Sequence, residues 1–185
     1  MDKDKIWVFD NIINKDIQEQ IKSILTASNF PWYFIKDITD ADKGKQLRPG
    51  FQHIYVKDKV NIKPLNEIQF YSILNNVCDK IGFKYSKVSL GRSFLQLPLG
   101  LIDNIPDSPH IDSKEKHLVV LYYVVDSDGD TVIYNNKSIP DNKKFTELKR
   151  VTPKQGTAVV FDGGYYHTAE QPKNYTRVII NYNLT

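Results

Sequence analysis

The second half of the chain is a series of short apolar runs, and this pattern restricts the fold more than any other feature of the sequence. From residue 86 onward the runs are KVSLGRSFLQLPL, HLVVLYYVV, DTVIYN, FTELKRVTP, GTAVVFDG and RVIINYNL. The segments between them contain DSDGD, IPDNKK, PKQG and QPKN, which are rich in turn-forming residues. Short apolar runs at this spacing are typical of an all-β sandwich or barrel.

The first half of the chain predicts helices beside short strands. The spacing of Ile17, Ile21 and Leu25 indicates an amphipathic helix in NKDIQEQIKSILTAS. A second helix is predicted from Pro64 to Gly82, and KIWVF, FPWYFIKDITD and FQHIYV resemble strands around the loop ADKGKQLRPG. Because no linker or internal repeat interrupts the chain, we expect one domain over residues 1–185. Residues 1–85 would supply N-terminal strands and supporting helices, residues 86–185 would form the β core, and both helices would pack outside one sheet.

Composition excludes several classes of protein. The formal net charge is +3, from 25 basic and 22 acidic residues spread over 185 positions, so no basic patch indicates a nucleic-acid partner. The single cysteine, Cys78, rules out an intrachain disulfide and a cysteine-rich zinc site. The start of the sequence lacks the apolar core of a signal peptide, and no apolar run is long enough to span a bilayer. We therefore expect a cytoplasmic protein with no membrane partner.

A histidine and an aspartate lie two residues apart in SPHIDSKEKHLVVLYYVV, directly before an apolar run. Side chains at this spacing in a strand share one face, so His110 and Asp112 can reach the same cation. A third ligand is available in His167, which follows another apolar run, whereas His117 is too near His110 to be preferred. Two histidines and one carboxylate are the ligands of Fe(II) sites that leave positions open. A His-x-Asp pair alone is nevertheless common, and a histidine before a polar loop is often a surface residue.

An arginine follows His167 at a distance of ten residues, at the start of the last apolar run. If Arg177 is buried in a barrel, it requires an anionic partner, and a carboxylate bound by two hydrogen bonds is the natural one. An arginine at the start of a strand can also be solvated or belong to an ordinary ion pair. The combination of the His-x-Asp pair, the later histidine and this arginine is what favours a binding site.

Five sequence elements carry a resemblance to a known family. They are PHID, VLYYVVDSDGDTVIY, RVTPKQGTAVVFDG, YYHTAEQP and TRVIINY, in that order. With them the chain resembles the 2-oxoglutarate and Fe(II)-dependent oxygenases of the prolyl 4-hydroxylase type, including small members found in bacteriophages. The resemblance covers most of the chain and is best from Ser93 to Thr185, and VFDNIINKDIQEQIKSIL is similar to the family's opening strand and helix. It implies a mainly β fold with flanking helices, a double-stranded β-helix (a jelly roll, or cupin-like fold).

The resemblance also implies roles for individual residues. His110, Asp112 and His167 match the family's iron ligands and would form the catalytic centre. Arg177 matches the basic residue that holds the distal carboxylate of 2-oxoglutarate, and Tyr123 matches a tyrosine that hydrogen-bonds to the same carboxylate. The alternatives for Tyr123 and Thr131, which matches a position lining the cosubstrate pocket, are plain packing in the core.

Strand alternation extends these predictions to neighbouring positions. Residues 117, 119, 121, 123 and 125 should share one face of their strand, so Tyr122 should point the other way. If Arg177 faces the cavity, so do Ile179, Asn181 and Asn183. Two inward asparagines need partners. We therefore expect Asn181 and Asn183 either to contact cosubstrate, water or substrate, or to be exposed at the edge of the sheet.

Four further residues are left open by the sequence. His53 and Trp32 could line the mouth of a substrate site, although strand packing explains both equally well. Gln96 falls where relatives often carry a polar or aromatic residue near the iron. Arg92 could be a second partner for a carboxylate or a surface charge.

The activity implied is that of an Fe(II)- and 2-oxoglutarate-dependent dioxygenase that uses O2, with ascorbate as a supporting reductant. Hydroxylation of a C–H bond is favoured because Asp112 is present, whereas relatives that halogenate lack this carboxylate. The substrate could be a prolyl or other protein residue, or a small molecule. Two other classes stay open: a non-catalytic cupin-like binding module, and a zinc hydrolase that uses the same three ligands. The hydrolase would leave Arg177 and Tyr123 without a role.

Overall fold

The computed structural model describes residues 5–38, 46–57, 60–61, 67–100 and 107–185. In these residues the helices are α1 (Lys15–Leu25) and α2 (Glu67–Ile81). The strands are β1 (Trp7–Phe9), β2 (Tyr33–Ile35), β3 (Gly50–Lys57), β4 (Val60–Asn61), β5 (Val88–Gln96), β6 (Leu118–Tyr123), β7 (Thr131–Tyr134), β8 (Glu147–Val151), β9 (Ala158–Asp162), β10 (His167–Ala169) and β11 (Arg177–Leu184).

The strands form two antiparallel sheets. The major sheet has the order β1-β9-β6-β11-β5-β3-β2, with β4 paired to β3, and the minor sheet has the order β10-β7-β8. Apolar side chains of the two sheets meet in a single cluster that includes Leu121, Phe161 and Ile179 from the major sheet and Ile133 and Val151 from the minor one. The structure thus confirms the expected jelly-roll fold.

Both helices cover the outer face of the major sheet. Ile21 and Leu25 of α1 and Leu74 of α2 are fully buried in the same core cluster as Tyr122 and Ile180 of the sheet. The first helix begins where expected, because the Asn14 carboxamide oxygen accepts the Ile17 backbone N–H at 2.9 Å. The second helix begins at Glu67, and the predicted start at Pro64 lies outside the described residues.

The alternation predicted for β6 and β11 holds along both strands. Val119, Leu121 and Tyr123 pack between the sheets, whereas Leu118, Val120 and Tyr122 pack on the helices. The prediction was wrong for Val125, which packs on the helix side together with Val124. The reason is that β6 ends at Tyr123, so the alternation of a strand no longer governs the two residues after it.

In the described part of the chain, neither helix has the length and apolar character needed to cross a membrane.

The short strand β10, which contains His167, was not predicted because three residues of mixed polarity give no readable period.

Candidate metal centre and adjoining pocket

The structure brings the three predicted metal ligands together by pairing two distant segments of backbone. His110 and His167 form an isolated antiparallel bridge, in which each backbone N–H donates to the other's carbonyl oxygen at 3.0 and 2.9 Å. Their ring centroids consequently lie 4.7 Å apart. Asp112, two residues after His110, completes a group whose ligand atoms all lie within 4.8 Å of one another.

The orientation of these side chains suits a metal ion. The Nδ1 atoms of His110 and His167 lie 3.1 and 3.2 Å from the carbonyl oxygens of Ser108 and Tyr165. A carbonyl oxygen can only accept, so Nδ1 carries the proton in the neutral rings and the Nε2 lone pairs are free to coordinate. Each Nε2 lies 4.0 Å from an oxygen of Asp112. The donor set would therefore hold Fe(II) through two imidazoles and one carboxylate.

The charge state of the group also suits coordination. Burial lowers the pKa of His167 to about 4, although Asp112 acts in the opposite direction, so this imidazole is neutral near pH 7. Burial would raise the pKa of Asp112, but neighbouring His167 and Arg92 and the Asn181 hydrogen bond lower it to about 2. Metal ligands must be deprotonated, and these two residues meet that condition.

Three side chains of the major sheet hold the Asp112 carboxylate. Arg92 Nη2 donates to Oδ1 at 2.9 Å, and Asn181 Nδ2 donates to Oδ2 at 3.0 Å. With its amide nitrogen turned toward the carboxylate, Asn183 donates to Oδ2 at 3.1 Å. Both asparagines are buried, so the suggested edge exposure was wrong. The Asp112 carboxylate thus accepts from the amide nitrogens of both asparagines, while Asn181 Oδ1 is buried without a hydrogen-bond partner among the described residues.

A cavity of about 440 Å³ connects the triad to Arg177. The Arg177 guanidinium donates to the Gly129 carbonyl oxygen at 2.9 Å, to Gln96 Oε1 at 2.7 Å and to Thr131 Oγ1 at 2.8 Å. All three acceptors are neutral, and Arg177 is only 3% exposed. A buried guanidinium with neutral acceptors is suited to binding a carboxylate that enters the cavity.

Tyr123 lies beside Arg177, as the sequence suggested. Its ring centroid is 6.0 Å from the Arg177 guanidinium carbon, the side chain is fully buried, and none of the described residues forms a hydrogen bond of good geometry with its hydroxyl. Burial raises the pKa of Tyr123 to about 12, so the hydroxyl stays protonated and can donate to an anion. Thr131 thus lines the arginine end of the cavity, whereas Tyr123 lies beside Arg177 and is not a lining residue.

Gln96 also lies at the arginine end of the cavity rather than beside the three candidate metal ligands. Its carbonyl oxygen accepts from Arg177, and its amide nitrogen lies 3.4 Å from Asp107 Oδ2. The buried Asp107 carboxylate also accepts from Arg48 at 2.7 Å and from Gln171 at 2.9 and 3.0 Å. Sequence reasoning missed these partners, because a single acid in the loop before His110 looks like any solvated loop residue.

The structure separates His53 and Trp32 from the cavity. The His53 ring lies 4.9 Å from that of Phe30 and 5.0 Å from that of Tyr55, and its Nδ1 is 2.9 Å from the Pro31 carbonyl oxygen. Trp32 packs against the helix-side core and donates to the backbone of α1 at 3.2 Å. Packing, rather than a place at the substrate mouth, accounts for both residues.

The fold is that of the 2-oxoglutarate/Fe(II) oxygenases with solved structures. An oxidoreductase of this family from Burkholderia pseudomallei superimposes with a TM-score of 0.69 at 12% identity, covering 97% of this chain and 84% of the other. The viral collagen prolyl hydroxylase of Paramecium bursaria Chlorella virus-1 gives 0.58 at 13% identity, with 97% and 94% covered. The 2-oxoglutarate-dependent carbocyclase SnoK from nogalamycin biosynthesis gives 0.70 at 9% identity, with 98% and 79% covered.

No protein-family model matches the sequence, and no curated protein matches it either. The similarity to known proteins is therefore one of fold, and the chemistry has to be argued from the side chains that this chain places in the cavity.

Proposed function

We propose that the protein is an Fe(II)- and 2-oxoglutarate-dependent dioxygenase that hydroxylates a C–H bond. One observation carries this proposal. Two histidines and a carboxylate at one end of a cavity are joined to a buried arginine with neutral acceptors at the other end. A cosubstrate with a chelating keto-acid group and a distal carboxylate matches both ends at once.

The reaction would consume one O2 for each substrate molecule. One oxygen atom enters the C–H bond to give an alcohol, the other enters succinate, and 2-oxoglutarate loses its carboxyl group as CO2. Bound iron would supply the redox chemistry with O2. His110, Asp112 and His167 would hold the metal, and Arg177 and Tyr123 would hold the distal carboxylate.

The remaining lining residues would orient the cosubstrate and keep water out. Ile179 pairs with Phe94 on one side and with Tyr123 on the other, and it separates Arg177 from Asn181 along β11. Because the wall of the cavity is apolar at Ile179 and Phe94, an anionic group would bind at the triad or at Arg177 rather than between them. This geometry would align a five-carbon dicarboxylate along β11.

The substrate is proposed as a prolyl or other protein residue, or a small molecule. One structural neighbour is a collagen prolyl hydroxylase, which supports a protein substrate, and another is a carbocyclase from nogalamycin biosynthesis, which supports a small one. Since both neighbours are similar to this chain in fold at about the same low identity, they support the two substrate classes to a similar degree.

The test is succinate formation from 2-oxoglutarate by purified protein with Fe(II), ascorbate and O2, beside His167→Ala and Asp112→Ala. The exposed acid Glu115 provides the matched control variant, Glu115→Ala. We expect turnover in the wild type and the control and none in the two ligand variants. Because some oxygenases turn over only with substrate, calorimetric binding of 2-oxoglutarate to the cobalt-loaded protein is measured alongside. Absence of both turnover and binding would refute the proposal and favour a binding module.

A further inference from the structure

A second arginine lies in the cavity, next to the metal ligands. Arg92 is on β5, directly opposite Asn181 on β11, and the pair Gln96 and Arg177 lies four residues further along the same two strands. At about 3.3 Å per residue, the two arginines are roughly 13 Å apart along the sheet. One arginine therefore marks the proposed cosubstrate end, and the other marks the metal end.

The Arg92 guanidinium is fixed in position and still has N–H groups without an acceptor among the described residues. Its Cζ lies 4.5 Å from the Phe94 ring centroid, and Nη2 donates to Asp112 Oδ1 at 2.9 Å. Nε is buried without an acceptor, and Nη1 has no hydrogen bond to any described residue. The side chain is 22% exposed, and it lines the cavity. The sequence had left open a surface charge or a second carboxylate partner, and the structure places this residue in the site.

The charges around the cavity do not balance without a further anion. Asp107 is neutralised by its ion pair with Arg48, which leaves Arg92, Arg177 and Asp112 with a net charge of +1 among the described lining residues. A bound divalent cation and the 2-oxoglutarate dianion cancel each other. Arg177 would be matched by the distal carboxylate, and Asp112 would be shared between its ion pair with Arg92 and the metal. One positive charge is therefore left uncompensated at the metal end of the cavity, where Arg92 lies.

We propose that Arg92 binds a carboxylate of the substrate and thereby selects small carboxylic acids or chains with a free terminal carboxylate. The inference rests on the proposed function and names its substrate class. A carboxylate suits this arginine because it is planar, carries one negative charge and accepts the N–H groups of a guanidinium. Arg92 contacts the same aspartate that would ligate the metal, so the oxidised carbon would lie only a few bonds from the carboxylate.

An alternative role for Arg92 is only to orient Asp112. The two roles differ in what they predict for ligands: orientation alone affects metal binding, whereas a substrate anchor gives a preference for acids over neutral analogues. Residues that orient metal ligands typically change metal affinity about 10- to 100-fold when removed. Both quantities are therefore measured.

The experiment uses the full chain loaded with cobalt(II) and 2-oxoglutarate without O2, as wild type, Arg92→Gln and the control Arg150→Gln. The probes are the free L-amino acids beside their carboxamides, and the peptide Gly-Pro-Gly with a free or an amidated C-terminus. Binding is measured by thermal shift and calorimetry, and the same probes are tested for stimulation of succinate formation with Fe(II) and O2. The two sets of probes separate a small acid from a chain terminus as the source of the carboxylate.

We expect at least one free acid to bind the wild type about tenfold or more tightly than its amide, as a charged hydrogen bond would give. Arg92→Gln should bring the ratio close to one when cobalt is present at a concentration that saturates the variant. Equal binding of acids and amides by the wild type, or binding of neither, would overturn the proposal, and so would an unchanged ratio in Arg92→Gln with weakened cobalt binding. A wild type that does not bind 2-oxoglutarate would instead refute the proposed function itself.

Discussion

Replacing Arg177 with methionine should remove the stabilisation given by 2-oxoglutarate while leaving the fold intact. Methionine has a similar length and no charge, and the acceptors that Arg177 finds among the described residues are neutral. Burial lowers the pKa of Arg177, which indicates that its charged form is poorly compensated. Removing such a charge deletes three hydrogen bonds but also a desolvation cost, so the unliganded variant should unfold within about 2 kcal/mol of the wild type.

The effect on cosubstrate binding should be much larger. Loss of one partner of a buried, hydrogen-bonded charge pair costs about 2–5 kcal/mol. At about 1.4 kcal/mol per tenfold, the affinity for 2-oxoglutarate should fall about 30- to 4,000-fold. At a concentration of about 100 Kd, the cosubstrate stabilises the wild type by about 2.7 kcal/mol. The same concentration should stabilise Arg177→Met by less than about 1 kcal/mol.

Urea unfolding of the cobalt-loaded protein, with and without 2-oxoglutarate under nitrogen, measures both quantities. The control is Arg150→Met, because Arg150 is 38% exposed and pairs with Glu147, Glu170 and Asp130 outside the cavity. This change can lower the free energy of unfolding, but it should preserve the increment from 2-oxoglutarate. If Arg177→Met kept the full increment, the assignment of Arg177 to the distal carboxylate would be wrong.

Three further predictions concern residues that stabilise the fold and do not line the cavity. Gly163→Ala should cost about 1–3 kcal/mol in urea unfolding because its Cβ would overlap the His117 ring. Gly164→Ala should change stability by less than about 1 kcal/mol, because its Cβ would come no nearer than 3.3 Å to the Asp162 carboxylate and needs only a small shift of that side chain. Asn14→Ala should cost about 1 kcal/mol by loss of the helix cap, and equal stability would contradict that role. Burial would raise the pKa of Asp128, but hydrogen bonds from the turn before β11 lower it. Its contribution should therefore be full above the ordinary carboxyl pKa and lost as the pH falls below it, so the stability gap between wild type and Asp128→Asn should shrink in acid.

The sequence could predict features that depend on local periodicity. The apolar alternation around Tyr123 and along β11 identified the faces of both strands, because one misplaced face would bury polar groups throughout the strand. The grouping of His110, Asp112 and His167 was also predictable, since the first two lie two residues apart and the third belongs to the same ordered set of sequence elements. Neither inference required knowledge of the loops.

The parts that could not be predicted depend on register between distant segments. Arg92 reaches the Asp112 carboxylate only because β5 pairs with β11 so that residue 92 lies opposite Asn181. A shift by one residue would have turned the arginine toward the helices, and the sequence offers no local sign of which register is adopted. Asp107 was missed for a similar reason, because its burial comes from Arg48 and Gln171, which lie 59 and 64 residues away.

Substitutions of Gln96 test whether the uncompensated charge of Arg177 is what binds 2-oxoglutarate. Its carbonyl oxygen accepts from Arg177 at 2.7 Å, so an amide supplies a hydrogen bond without neutralising the guanidinium. Gln96→Glu would place a negative charge at nearly the same position. That carboxylate would neutralise Arg177 from within the protein and repel the incoming distal carboxylate of 2-oxoglutarate.

Gln96→Met is the matched comparison, because it removes the hydrogen bond, keeps the length and adds no charge. We expect Gln96→Glu to weaken 2-oxoglutarate binding to the cobalt-loaded protein about tenfold or more, and Gln96→Met to weaken it about threefold or less. Gln96→Glu would give Arg177 an internal partner but would also place a negative charge beside Asp107, which Gln96 contacts at 3.4 Å, so the free energy of unfolding without cosubstrate is measured for both variants. Equal losses of affinity in the two variants would mean that Gln96 acts through shape alone, and that the unneutralised charge of Arg177 is not what holds the cosubstrate.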